Sequence, residues 1–245
     1  MSTPIPTEPI REDMQVHSTF SDGRDTVEDN VRAAEAIGLT RMTCMDHVRV
    51  DTAWLPEYVA EVQRVRATTD VQLTIGIEAK LLDTTGALDL PPDDRIPAGV
   101  DVVYAADHQV AMEGGVRHPD AVRAALESGE LSAAEVFSAL ITSTRECLDS
   151  PRDIVIAHFF SILPKLGLDE ADAPLDEIEA LAAECARTGQ RIEVNERYRS
   201  PSARTLRPFV ERDVPLLVST DSHRADAIGR YEHCLTVLRE LSAGA

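Results

Sequence analysis

Five of the seven histidines in this 245-residue chain close short apolar runs, and each has a carboxylate nearby. His17 ends DMQVH and is followed by Asp22, while Asp46 and His47 close TRMTCMDH. Glu78 closes VQLTIGIE, Asp107 and His108 follow VDVVYAA, His158 closes DIVIAH, and Asp221 and His223 follow VPLLVST. Imidazole and carboxylate are the ligand types that hold zinc, manganese or iron. Crowding this many into one place without a cation would be costly, because each carboxylate must be desolvated. A lone histidine at the end of a strand is more often a hydrogen-bonded structural residue. Repetition at successive strand ends is what favours a metal centre. His118, before Pro119 in a Gly-rich stretch, and His233, in the last helical run, are expected to be solvated or bonded locally.

A second group could bind an anion. ERYRSPSARTLR (196–207) places Arg197, Arg199, Arg204 and Arg207 after one strand-like run, and arginine suits bidentate phosphate contact. Arg197 and Arg199 stand nearest the strand exit. Lys80 shares the sheet face of Glu78, and Arg224 and Lys165 are weaker candidates. For any one of these, pairing with a surface carboxylate explains the residue as well. Glu193 and Asn195 alternate in EVN and would either orient ligands from behind or anchor a loop.

The elements that must position these groups alternate. Strand-like runs fall at 14–17, 40–45, 71–79, 100–106, 153–158, 191–196 and 214–220. Helical patterns fall at 26–39, 55–67, 119–128, 132–148, 174–188, 202–212 and 225–242. The Asp-, Pro- and Gly-rich stretch 83–99 reads as a loop. Buried strands separated by helices predict a parallel sheet covered on both faces, either an α/β barrel or a doubly wound domain. Residues 1–11, rich in proline, form a lead-in, and 12–245 a single domain. In a parallel barrel the C-terminal strand ends form one rim, where active sites lie.

Composition sets limits. With 24 basic and 43 acidic residues the net charge is −19, which works against binding nucleic acid or an anionic membrane surface. No apolar run approaches the ~20 residues that span a bilayer. The opening MSTPIPTEPI lacks the pattern of a secretory signal, so a cytoplasmic location is expected. The cysteines, Cys44, Cys147, Cys185 and Cys234, form no C-x-x-C pair and read as reduced, mostly buried thiols.

DMQVHSTFSDG (13–23), MDH (45–47), GIE (76–78), the isolated His108 and His158, and STDSH (219–223) together resemble the PHP family, named for polymerase and histidinol phosphatase. The resemblance runs from Asp13 to His223, and the chain length is similar to that of stand-alone members such as histidinol-phosphate phosphatases. It implies an α/β fold, a distorted (β/α)7 barrel of parallel strands with outer helices, carrying two or three divalent metals (Zn, Mn or Fe). Carried over by motif, His17, Glu78 and Asp221 would hold one metal. Glu78, His108 and His158 would hold a second, and Asp22, His47 and His223 a third. The family usually opens with His-x-His, and this chain has Gln15 at the first position. Gln15 could ligate weakly, contact substrate, or leave one metal short of a ligand.

The resemblance implies a metal-dependent phosphoesterase in which a metal-activated water attacks a small phosphomonoester. Asp221, His223 and Asp46 are the candidate proton carriers, and Arg197, Arg199 and Lys80 the candidate substrate contacts. The alternatives are a phosphodiesterase or nuclease on nucleotides or a short oligonucleotide, a non-phosphate metallohydrolase, and a metal-binding protein with impaired catalysis. The nuclease alternative needs stacking platforms, for which Phe159, Phe160 and Tyr198 are the candidates.

Overall fold

The computed structural model describes residues 10–243, and most of the expected lead-in, residues 1–9, lies outside them. The chain runs β1 (Glu12–His17), α1 (Val27–Ala36), β2 (Arg41–His47), α2 (Leu55–Arg66), β3 (Gln72–Lys80) and β4 (Val102–Ala106). A small hairpin, β5 (Val110–Met112) and β6 (Gly115–Arg117), precedes α3 (Pro119–Ser128) and α4 (Ala133–Cys147). Then come β7 (Ile154–Ile156), α5 (Leu163–Leu166), α6 (Leu175–Thr188), β8 (Arg191–Asn195), α7 (Ala203–Val210), β9 (Leu216–Ser219) and α8 (His233–Ala243). Seven strands form one parallel sheet in the order β1-β2-β3-β4-β7-β8-β9.

The sheet curls until its ends meet. His17 N–H donates to Ser222 O at 2.8 Å, and Ser222 N–H donates to Gln15 O at 3.2 Å. Asp13 ties the same seam. It accepts from Thr220 N–H at 2.9 Å and from Gly229 N–H at 3.0 Å. The result is a nearly closed, distorted (β/α)7 barrel with outer helices.

Strand parity decides what faces inward. The register pairs Met45 with Gly76 and His47 with Glu78, then Glu78 with Tyr104 and Tyr104 with Val155. Met14, Met45, Tyr104, Val155, Ala157 and Leu217 fill the barrel below the histidines. Gly76 makes room for this plug, since a Cβ there would lie 2.5 Å from the Met45 methyl. The residues of opposite parity, such as Cys44, Ile75, Ile77, Val103 and Ile156, join the apolar layer under the helices. All four cysteines are buried free thiols.

Three expectations shift. The predicted helix 225–242 begins only at His233, because Ala225 N–H is held by Asp25 and Gly229 N–H by Asp13. The predicted strand 153–158 keeps only Ile154–Ile156, because His158 at φ 27° and Phe160 at φ 70° turn the chain away. The hairpin β5–β6 was not expected, and its three-residue strands are too short to show alternation. Among the described residues no helix is long and apolar enough to cross a membrane.

Candidate metal centre

Glu78 sits at the middle of the rim, with about 1% of its surface exposed. Its Oε1 lies 3.0 Å from His108 Nε2 and 3.0 Å from His158 Nε2. Its Oε2 lies 3.2 Å from His17 Nε2 and 3.3 Å from His47 Nδ1. One carboxylate thus touches four imidazoles from four strand exits. Asp22 closes the outer side, with Oδ1 at 3.2 Å from His223 Nε2, 3.5 Å from His47 Nε2 and 3.8 Å from His17 Nδ1. Asp221 Oδ1 lies 3.4 Å from both His17 Nε2 and His223 Nδ1. The imidazoles form a continuous arc, with ring centroids 4.2 Å apart for His17 and His223, 4.5 Å for His17 and His47, and 5.4 Å for His108 and His158.

Two sets of donor atoms come close enough to share an ion, one from His17, Asp22, His47 and His223, the other from His47, Glu78 and His108. The first matches the ligand set expected for the third metal, with His17 added. The second shares Glu78 and His108 with the set expected for the second metal. Several buried polar atoms near the ring have ion-pair contacts at most and no hydrogen bond. Gln15 Oε1, His17 Nδ1, Asp107 Oδ2 and Asp221 Oδ1 are buried without a hydrogen-bond partner among the described residues. Buried polar atoms are almost always paired, so the orphaned His17 Nδ1 and Asp221 Oδ1, both on expected ligands, fit cations that would complete them.

The electrostatics agree. Burial pushes the His17 imidazole down, but Asp221 and Glu78 outweigh it and raise its pKa to about 10. Burial pushes the Glu78 carboxyl up, but His47, His108 and His158 hold it well below the usual range. Asp22 is likewise lowered: burial works against it, and His223 and His47 together prevail. A field that favours imidazolium here favours a divalent cation in the same place.

Other residues hold the ring in shape. Glu193 Oε2 accepts from His158 N–H at 2.6 Å and from Asn195 Nδ2 at 3.1 Å, and Asn195 Nδ2 also reaches Asp221 Oδ2 at 3.4 Å. Burial raises Glu193 to about 7. These bonds help keep His158 and Asp221 at positive φ, 27° and 51°, conformations that cost a non-glycine residue on the order of 1–3 kcal/mol. Gly23 packs against the chain at His17, where a Cβ would meet the His17 carbonyl at 2.6 Å.

Asp46 faces away from this ring, because its register partner is Ile77. Its oxygens accept from Ser18 N–H at 3.1 Å, Ser18 Oγ at 2.6 Å, Ser21 N–H at 3.0 Å and Ser21 Oγ at 2.5 Å. It therefore anchors the loop that carries Asp22. Gln15 points inward, and its Nε2 donates to Glu78 Oε2 at 2.8 Å and lies 3.3 Å from His17 Nε2. Arg197 reaches the rim, with Nη1 at 2.5 Å from His223 Nδ1 and 3.4 Å from Asp221 O. Arg199, at φ 55°, instead lines a separate cavity with Phe160 and Leu168. Lys80 lines the cavity beside the ring, with Nζ 3.6 Å from Asp89 and 3.4 Å from Gln109 Oε1. Arg204 donates to Glu170 O and Ala173 O, and Arg224 pairs with Asp226. Phe159 and Phe160 stack on each other at 3.9 Å and are both buried, Phe160 bordering only the cavity of Arg199. Tyr198 lies against His158, with ring centroids 4.8 Å apart.

Some supporting residues lie outside the ligand sets that the motifs imply. Asp107, the strand-exit carboxylate beside His108, lies 3.3 Å from His158 Nδ1 and accepts from Ser161 Oγ at 2.7 Å. Asp13, Ser18 and Ser21 are recognisable only from their partners. His118 caps α3, its Nδ1 accepting from Asp120 N–H at 3.2 Å.

Two solved structures share the fold across nearly their whole length. The histidinol phosphate phosphatase of Lactococcus lactis subsp. lactis Il1403, complexed with zinc, L-histidinol and phosphate, is 16% identical and has a TM-score of 0.67, covering 94% of this chain and 93% of its own. A candidate histidinol phosphatase from Listeria monocytogenes is 18% identical and has a TM-score of 0.68, covering 89% of this chain and 97% of its own. At such identities the likeness is one of fold. No curated protein matches the chain. The family model of the PHP domain matches residues 13–196, from the seam residue Asp13 past the strand that carries Glu193. That span is well over half of the chain and includes Glu78 with all four imidazoles around it: the chain belongs to the PHP family.

Proposed function

We propose that this chain is a metal-dependent phosphoesterase that hydrolyses a small phosphomonoester. The observation that carries the reading is the Glu78 carboxylate between four imidazoles, with orphaned donor atoms around it. His17, Asp22, His47, Glu78, His108, His158, Asp221 and His223 would hold two or three divalent ions, and the nitrogen–oxygen donor set suits zinc, manganese or iron. Such ions supply Lewis acidity, easing deprotonation of water near neutral pH and neutralising charge on phosphoryl oxygens.

The chain's own groups do the remaining work. Arg197 is placed to take a phosphoryl oxygen beside His223, where a planar fork of donors matches the anion. Asp221 and His223 stand at the rim within 3.4 Å of each other and are the groups placed to hold or pass a proton. Asp46, with its oxygens taken by Ser18 and Ser21, positions Asp22. Gln15 stands where the family's histidine usually is. Turning its amide over would aim Oε1 at the cluster, so it serves as a weak neutral ligand there.

The Lactococcus protein's zinc and phosphate support this reading. The acidic charge of −19 disfavours a long nucleic-acid substrate, leaving a small phosphorylated molecule as the partner. The test is turnover of p-nitrophenyl phosphate and bis-p-nitrophenyl phosphate by protein loaded with zinc or manganese. Monoester hydrolysis that chelator abolishes is expected. Full metal occupancy with neither ester turned over would overturn the reading, and a diester preference would replace it with a phosphodiesterase.

A further inference from the structure

Beside the ring lies a cavity of about 670 Å³, whose floor includes His47, Glu78 and His108. Its walls come from the loop that carries Asp22, which brings Phe20, and from the segment after His47, which brings Arg49, Thr52 and Trp54. Phe20 and Trp54 are half-buried, with centroids 5.6 Å apart, and both rest on the buried Tyr58. They form a fixed aromatic wall.

The opposite chemistry stands beside it. The turn 49–52 is held by its own bonds: Arg49 N–H donates to the Thr52 hydroxyl Oγ1 at 2.8 Å, and Thr52 N–H donates to Arg49 O at 3.0 Å. Val50 N–H donates to Asp89 Oδ1 at 2.9 Å, and Asp89 Oδ2 lies 3.6 Å from Lys80 Nζ. Of the three carboxylates that line the cavity, Asp22 and Glu78 face the histidines and Asp89 is matched by a lysine. Arg49 lines the cavity and is exposed, and its guanidinium has no hydrogen bond or ion pair among the described residues. Half of the arginines of this acidic chain pair with a carboxylate, for example Arg41 with Glu12, Arg64 with Glu61 and Arg187 with Glu184. A fixed turn therefore presents an unpaired cation beside an aromatic wall, next to the place proposed for phosphoryl transfer.

We propose, resting on the phosphoesterase reading, that this cavity receives the organic part of the substrate, and that this part is a ring bearing a second anionic group. The ring packs on Phe20 and Trp54. The anion pairs with Arg49 while the phosphoryl group lies over the histidines. A carboxylate and a second phosphate present the same chemistry to Arg49.

Trp54 is the only tryptophan of the chain, so its fluorescence reports this cavity without turnover. Zinc-loaded protein is titrated with benzylphosphonate and 4-carboxybenzylphosphonate, which cannot be hydrolysed. The carboxylated compound should bind about tenfold tighter or better, the scale of one charge-assisted hydrogen bond, and should change the Trp54 emission. Arg49→Ala should abolish the preference, Arg49→Lys should restore part of it, and Arg49→Glu should transfer it to 4-(aminomethyl)benzylphosphonate. In turnover, 4-carboxyphenyl phosphate and 1,4-phenylene bisphosphate should both exceed phenyl phosphate in kcat/KM, and their ratio tells which anion is favoured. Equal binding of the plain and carboxylated phosphonates, binding of neither, or a preference that survives Arg49→Ala would overturn the proposal. If no ester is hydrolysed yet the carboxylate preference at Trp54 depends on Arg49, the phosphoesterase reading fails while the cavity assignment stands.

Discussion

Replacing Glu78 by glutamine keeps the volume and one oxygen acceptor but removes the charge that faces His17, His47, His108 and His158 at 3.0 to 3.3 Å. Loss of a residue that merely orients a ligand costs roughly 10–100-fold in metal affinity. A carboxylate central to the cluster should cost at least the upper figure. The effect is readable as a thermal shift. Metal at about 100 times its Kd stabilises a protein by about 2.7 kcal/mol, and a chain of this size gains about 2–4 °C per kcal/mol. Wild-type protein stripped with chelator should therefore gain about 5–10 °C on addition of zinc or manganese at that level. A Kd raised 100-fold brings the same concentration down to Kd, where the gain is about 0.4 kcal/mol, or about 1–2 °C. Each protein is compared with its own metal-free form, so a change in the variant's basal stability cancels. Bound metal, counted by plasma mass spectrometry, should fall in parallel. Asp107→Asn, whose carboxylate touches only His158 among the imidazoles, should give an intermediate loss. A Glu78→Gln variant with wild-type metal content and a full thermal shift would refute the idea that this carboxylate organises the centre.

Three further changes test the supporting parts. Gln15→His supplies an imidazole beside Glu78 and His17 and should raise metal stoichiometry or tighten binding about tenfold or more; unchanged titration calorimetry would remove Gln15 from the site. Asp46→Ala frees Ser18 and Ser21 and should loosen Asp22, weakening metal binding roughly 10–100-fold with no proposed ligand removed; wild-type affinity would contradict the anchoring role. Burial raises the Asp13 carboxyl to about 6 despite bonds from Thr220 and Gly229, so between pH ~4 and ~6 the folded chain binds the proton that the unfolded chain has released. The Asp13 contribution is therefore greatest below about pH 4 and declines by about 3 kcal/mol as pH rises through 6. Asp13→Asn should remove that slope from urea melts of metal-free protein, and an identical slope in both proteins would contradict it.

How much of this could be read from sequence depends on which physical rule each residue obeys. The alternation of strands and helices, and the convergence of His17, His47, Glu78, His108, His158 and Asp221, follow from parallel strands that all end on one rim. For that rule the order of the residues is sufficient. Direction is harder. Asp46 and His47 end the same strand, yet adjacent side chains point to opposite faces, and only the register with Ile77 and Glu78 shows which one looks inward. Arg197 and Arg199 have equal parity on paper, but the chain has left the strand, and Arg199 at φ 55° turns to another cavity. Phe159 and Phe160 follow a strand exit, yet the backbone bends at His158 and Phe160 and folds both rings into the core.

The same bend explains why the site and the fold cannot be separated. His158 leaves its strand at positive φ, and the bond that Glu193 makes to its N–H holds it there. Asp221 also turns at positive φ, between Asn195 and the seam where Ser222 meets β1. The residues nearest the cluster are thus the ones whose backbones the barrel has to constrain. Closing the seam through Asp13 and Thr220 sets Asp221 opposite His17, although the two lie at opposite ends of the chain. Ligand geometry here is a consequence of barrel closure, so a change at the seam should be felt at the metal centre even where no ligand is touched.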